Sequence, residues 1–251
     1  GGWPPRNGSH ARYGQQVPLK WALQHSNNWI SASLITTLGP QQFVGILHDF
    51  GLNNPDIDRN ATPVLSLGPC EVSVGEMVSA YTAFANGGVR CAPLFVTKIE
   101  DSHGNVIAKF QPLMTEVISE DNSYRMIDMM RAVIDGGTGS RLKGAYGMKG
   151  DICGKTGTTN SNSDGWFIAF TPELVSGAWL GGEDRDIHFD STSLGQGTAA
   201  ALPIWAYFMK KVYADHQLGY SDKPQFAIPK DFDFCSTSED TDVNDIQEVY
   251  F

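Results

Sequence analysis

The sequence predicts an α+β fold, an antiparallel sheet covered by helices, and three observations carry that prediction. Helical spacing of apolar residues dominates the chain up to Ile134. Short apolar strands joined by tight turns take over between Lys155 and Leu180. A last helical pattern, Ala199 to Val212, then follows, so helices stand on both sides of the strand group and can cover it.

Each element has its own signal. The opening, to about Tyr13, is rich in Gly, Pro, Asn and Arg and reads as loop. Leu19, Ala22, Leu23, Ile30, Leu34, Ile35 and Leu38 keep helical spacing, broken at Ser26-Asn27-Asn28 and ended by Gly39-Pro40. A helix from Gln41 to Phe50 stops at Gly51, and Asn53 to Pro69, with three prolines, is expected to be loop. Ser73 and Glu76 form a capping box ahead of the apolar stripe Met77, Ala80, Tyr81 and Phe84, which Gly87-Gly88 closes. Leu94 to Ile99 and Val106 to Phe110 predict a hairpin around residues 101–105. Glu120 to Ile134 is a second strong helix, capped by Ser119 and closed by Gly136-Gly137. Lys155 to Thr158 is a short polar strand. Trp166 to Phe170 and Leu174 to Leu180 are apolar strands turning across Thr171-Pro172-Glu173. Residues 166–170 are apolar on both faces, which predicts cover on both sides of the sheet.

Composition narrows the function classes. With 41% apolar residues and 27 glycines lacking a three-residue period, the chain is neither disordered nor collagenous. No stretch approaches the roughly 20 apolar residues of a membrane span. The start lacks Met, a basic n-region and a signal-type apolar run, and reads as a chain entered partway through. The net charge of −10 is concentrated at the end, where residues 231–251 hold seven acids and no Lys or Arg. Residues 1–230 therefore form the expected domain, and 231–251 an acidic, solvated tail. The acidic balance and the lack of a basic stripe argue against a nucleic-acid partner. Cys70, Cys91, Cys153 and Cys235 show no CxxC spacing, and the six His no HExxH, so no metal site is expected. Cys70 and Cys91 flank a predicted helix and suit a bridge in an oxidising compartment, but free thiols are the plainer expectation.

Chemistry concentrates in Gly154-Lys155-Thr156-Gly157-Thr158-Thr159. A phosphate-binding loop would need Gly at position 149, where Lys149 stands; Gly150 is one residue too close, and a strand rather than a helix follows. The better reading is a strand lining a cleft. Side chains alternate, so Lys155 and Gly157 share a face, one supplying positive charge and the other room for a substrate backbone. Thr156 and Thr158 supply hydroxyls, which suits an extended peptide ending in a carboxylate. Taken alone, this triplet could equally be a surface hairpin. Ser26-x-Asn28, set in a helical segment, could likewise be a local cap.

Together the two motifs resemble the transpeptidase domain of penicillin-binding proteins, whose signature is Ser-x-x-Lys, Ser-x-Asn and Lys-Thr-Gly. Residues 2–7, 22–28, 73–81, 136–139 and 201–205 resemble its bifunctional class A branch, in order from Gly2 to Met209. One element is missing. The only Ser followed three residues later by Lys is Ser140, with Lys143, and Ser140 lies after Ser26, between Gly139 and Gly144, which is loop chemistry. The nucleophilic Ser and its Lys are therefore expected upstream of Gly1, leaving here a partial domain of the serine β-lactamase and penicillin-binding-protein type.

The resemblance implies acyl transfer from a D-Ala-D-Ala stem peptide of peptidoglycan to a neighbouring amine or to water, with β-lactams trapping the same serine. It implies that Ser26 relays the leaving-group proton, Lys155 supplies electrostatics and Asn28 orients the substrate amide. Thr156 and Thr158 would hold the terminal carboxylate beside Gly157, and the Thr158 N–H would be one oxyanion donor. No cofactor is implied. A membrane-anchored parent, with a glycosyltransferase domain, would act on the periplasmic side of the inner membrane. The competing reading is a non-catalytic β-lactam-sensing or scaffold domain of the same fold.

Overall fold

The computed structural model describes Pro5, Asn7, residues 15–230 and Phe232. The rest of the opening loop, Cys235 and the rest of the acidic tail lie outside the described residues.

The helical segment around Ser26 forms α1 (Leu19–Gln24) and α2 (Asn28–Leu38), separated at the expected break. Gly39 turns the chain with a φ of 95°, and Pro40 opens α3 (Pro40–Asp49), where its missing N–H costs nothing. The stretch read as a proline-rich loop is instead partly helical: α4 spans Pro55–Arg59, and a 3₁₀ turn spans Pro63–Leu67. Pro55 and Pro63 stand at helix starts, and the Asn54 side chain accepts the Asp56 N–H as a cap. The capping box at Ser73 is formed in both directions and starts α5 (Val74–Ala85).

Two ribbons follow. β1 (Val89–Cys91) pairs with β4 (Met114–Glu116), a pairing of three residues per strand that shows no alternation to read in sequence. The predicted hairpin is present as β2 (Lys98–Glu100) and β3 (Val106–Lys109), but Leu94 to Thr97 does not extend its first strand. Its last rung is the Phe110 N–H to the Thr97 carbonyl. Two residues later Pro112 has no N–H to offer, so the partner strand cannot continue.

α6 (Glu120–Gly136), capped by Ser119, and the one-turn α7 (Arg141–Gly144) lead into the central sheet. That sheet has strand order β5-β6-β7, all antiparallel: β5 (Cys153–Thr158), β6 (Asp164–Phe170) and β7 (Val175–Gly181). Lys155 stands opposite Ile168, and Thr156 opposite Phe167. The short α8 (Thr192–Gly195) precedes α9 (Gly197–Ala214). As its two-sided apolar sequence requires, β6 is covered on both faces. Phe167 and Ala169 pack with Leu202, Trp205 and Met209 of α9, and Phe170 packs with Tyr124, Ile127 and Met130 of α6. Burial of side chains of this size stabilises by roughly 1.5–3 kcal/mol each.

The start of β5 is pinned by charge. Arg131 of α6 grips the almost wholly buried Asp151 carboxylate with two bonds of 2.7 and 2.8 Å. Burial works to raise the Asp151 carboxyl, but those bonds and the Phe226 N–H overcome it and hold it below the usual range.

Candidate active site

The break between α1 and α2 has a definite cause. Asn27 donates its N–H to the Ala22 carbonyl and Ser26 donates to Leu23, the paired bonds of a Schellman close. Its left-handed position, where Gly is usual, is filled by Ser26 with a φ of 53°. A non-glycine residue there costs about 1–2 kcal/mol. The Asn27 side chain then accepts the Ile30 N–H and starts α2, so the two helices meet at a corner with Ser26 at its apex.

Lys155 comes to that apex from the sheet. Its Nζ donates to Ser26 Oγ at 2.8 Å, across 129 residues of sequence, and to the Thr156 carbonyl at 2.9 Å. Burial pushes the Lys155 ammonium down to about 8. At neutral pH it remains mainly charged, yet close enough to its midpoint to respond to what binds beside it. On the face turned away from Lys155, the Thr156 hydroxyl lies 2.8 Å from that of Thr138, and the Thr158 hydroxyl accepts the Gly197 N–H at 2.9 Å. Strand β5 is an edge of its sheet, so Gly157 and its neighbours border an open side where an extended ligand can add.

Ser26, Lys155, Thr156 and Thr158 are thus brought into one connected region. Asn28 opens α2, and its N–H donates to the Asn7 side chain at 2.8 Å. Ser140 meets Lys143 through the backbone, its carbonyl accepting the Lys143 N–H at 3.2 Å, while the Lys143 ammonium pairs with Asp135. After β5 the chain makes a 3₁₀ turn and returns as β6, so there is no helix to complete a phosphate-binding loop. Cys70 and Cys91 are free thiols, and Cys153 is buried against the Ile127 carbonyl. Among the described residues no group of three or more His, Cys, Asp or Glu could hold a metal.

Two participants escaped the sequence reading. Thr138 was visible only as part of a resembling stretch, and Asn7 as part of the opening one; neither carries a motif of its own. Their roles come from hydrogen bonds over long sequence separations, which leave no periodic trace.

Residues 2–176 match the family model for the penicillin-binding protein transpeptidase domain. The chain belongs to that family. Penicillin-binding protein 1A of Aquifex aeolicus (strain VF5) is 35% identical to it over 213 residues, covering 84% of this chain and 27% of that protein. This chain therefore spans about a quarter of the length of the curated relatives it matches. The crystal structure of penicillin-binding protein 1A from Haemophilus influenzae superposes with a TM-score of 0.77 at 25% identity, covering 90% of this chain and 38% of that one. The imipenem acyl-enzyme complex of penicillin-binding protein A from Mycobacterium tuberculosis shares the fold, with a TM-score of 0.64 at 21% identity, covering 82% of this chain and 50% of that one. The mixed helix and antiparallel-sheet architecture is accordingly that of a penicillin-binding transpeptidase domain.

Proposed function

We propose that this chain forms the substrate-gripping wall of a peptidoglycan D,D-transpeptidase, which cross-links stem peptides through an acyl-serine intermediate. The observation that carries the reading is the 2.8 Å bond between Lys155 and Ser26. Two motifs far apart in sequence meet there beside an open strand edge, as the family's chemistry requires.

In this reading the donor peptide lies along β5 with its terminal carboxylate against the Thr156 and Thr158 hydroxyls. Asn28 orients its amide. A serine from outside these 251 residues attacks the penultimate carbonyl, with a neighbouring lysine as base. The Thr158 N–H and the serine's own N–H receive the oxyanion; one such donor is worth about 3–4 kcal/mol in the transition state. Ser26, accepting a bond from Lys155, passes its own proton to the departing D-Ala amine and is refilled by the proton that the neighbouring lysine drew from the attacking serine. Lys155 holds the charge that keeps this relay in place. The ester then passes to an acceptor amine or to water.

β-Lactams would enter the same cleft as mimics of D-Ala-D-Ala. The nucleophile is assigned outside the chain because its only Ser-x-x-Lys is Ser140 with Lys143, and that lysine is committed to Asp135. The substrate lies outside the cytoplasmic membrane, so the protein is assigned there, with a membrane anchor. Among the described residues no helix is long and apolar enough to cross a membrane.

A fluorescent penicillin tests the reading. The natural polypeptide that carries these residues together with a Ser-x-x-Lys should be labelled, and Lys155→Ala should slow labelling by about 10²–10³-fold. The isolated chain should stay unlabelled. An adduct mapped to any serine within it, Ser140 included, would remove the external nucleophile from the scheme. Tight binding with no ester in either form would favour a sensing or scaffold role.

A further inference from the structure

The two threonines of β5 are not alone. Each hydroxyl is held from behind by a donor or partner contributed by another element. The Gly197 N–H, at the start of the long helix α9, donates to Thr158 Oγ1 at 2.9 Å. That contact needs a glycine, because a Cβ at Gly197 would collide with the carbonyl oxygen of Gly157. Thr138 Oγ1 lies 2.8 Å from Thr156 Oγ1, and among the described residues neither hydroxyl has another hydrogen-bond partner.

Thr138 is itself held on three sides. Its N–H donates to the Gln24 carbonyl at 3.2 Å, at the end of α1 and two residues before Ser26. Its carbonyl accepts the Thr198 hydroxyl of α9 at 3.3 Å. A Cβ on the preceding Gly137 would collide with the Gln24 carbonyl, so the approach is as close as a backbone allows. Thr138 therefore ties together the corner that bears Ser26, the strand that bears Lys155 and the first turn of α9.

Proton bookkeeping then shows which donors are left over; in the Thr138–Thr156 pair either hydroxyl can donate. A hydroxyl that accepts a bond from the protein has its own proton left to donate. Thr158 accepts from Gly197, so its proton is free. Thr138 and Thr156 share one bond and hold two protons, so one proton stays unspent; when Thr138 donates, the unspent proton is that of Thr156. Both β5 hydroxyls then present donors, and an acceptor-only group such as a carboxylate satisfies both. A carboxamide presents donors of its own, and an ester lacks the charge that strengthens such bonds.

We propose that Thr138 is a positioning residue which, with the Gly197 N–H, turns the Thr156 and Thr158 hydroxyls into donors and makes the site select a free carboxylate. This rests on the transpeptidase reading above. It adds to that reading the group that sets the selectivity.

The test uses the natural polypeptide that carries these residues together with its nucleophile. Second-order acylation rates are measured for a penicillin and for its carboxylate methyl ester. The wild type should prefer the acid. Thr138→Val, nearly the same shape without the proton, should cut that acid-to-ester ratio about tenfold, the scale of one lost bond to a charged group. Thr138→Ser should restore the ratio to within about threefold of wild type, because it returns the hydroxyl. A merely structural role for Thr138 would slow both ligands equally, and an unchanged ratio or an equal loss on both overturns the proposal. A wild type that acylates without preferring the acid overturns the carboxylate assignment of Thr156 and Thr158 as well. A wild type that never acylates overturns the transpeptidase reading itself.

Discussion

β6 of the central sheet and the β2–β3 ribbon with its approach both carry large apolar side chains, yet their surroundings are opposite. In β6, Phe167 and Phe170 are completely buried, between α9 on one side and α6 on the other. In the ribbon and its approach, Ile107 is 67% exposed and Phe95 91%. The difference is largely one of cover: no helix packs extensively on the ribbon among the described residues. β5 pairs along its whole length with the clamped strand β6, and from there Lys155 reaches within 2.8 Å of a side chain 129 residues away. The site borders this covered core, and four experiments test whether that cover is what separates the two regions.

The largest effect should come from removing the cover. Phe167 meets Trp205 edge-on at 5.6 Å, and Phe167→Ala leaves a cavity between β6 and α9. A loss of about 3–5 kcal/mol is expected in urea unfolding. A loss below about 1 kcal/mol would mean that α9 collapses onto the sheet and that this interface is not tightly specified.

Breaking the buried ion pair should cost less, because Arg131 is partly open to water. Asp151→Ala leaves that guanidinium facing a vacated pocket, with an expected loss of about 2–3 kcal/mol. The sign with pH follows from the lowered carboxyl. The pair's contribution is present above the unfolded-state value of Asp and is lost as pH falls through the folded one. The difference in unfolding free energy between wild type and Asp151→Ala should therefore shrink in acid; a constant difference would show that the charge of Asp151 contributes nothing.

A third experiment separates stability from chemistry at Lys155. Its folded-state value of about 8 lies below the usual 10.5, so between them the unfolded chain holds more protons. Stability due to this group therefore rises as pH climbs through that window and is least below it. The charge available to Ser26 and to an anionic ligand falls over the same range. Acylation should decline above about pH 8 while resistance to urea increases, and Lys155→Met should remove both slopes relative to wild type. Parallel declines in both quantities would show that loss of the fold, not of charge, controls activity.

The same contrast explains what could be read before the structure. The two-faced strand of residues 166–170 was legible because alternation is a local property of the chain, whereas Ser26 and Lys155 stood out only through the resemblance, since each motif alone also fits a cap or a surface hairpin. The left-handed backbone at Ser26 was not legible, since only glycine advertises that conformation. Pro55 and Pro63 read as loop signals because a proline at the first turn of a helix looks the same in sequence as one in a turn. Thr138 and Gly197 act through bonds to backbone or hydroxyl groups on other elements, and no window of sequence contains both partners. The ribbon's outer faces misled in the other direction: Leu94-Phe95-Val96 has strand composition but ends opposite Pro112, where pairing stops.

The smallest effect is expected on the ribbon. Phe95 and Ile107 already lie mostly in water in the folded state, so folding removes little of their surface and little transfer free energy is at stake. Phe95→Ser and Ile107→Ser should each shift the unfolding free energy by less than about 0.5 kcal/mol, against several for Phe167→Ala. Neither touches the site, so penicillin acylation of the natural polypeptide should be unchanged. A loss above 1 kcal/mol in that full polypeptide, absent when these 251 residues are measured alone, would mean that another part of the protein covers the ribbon. The two regions would then differ only in where their cover comes from.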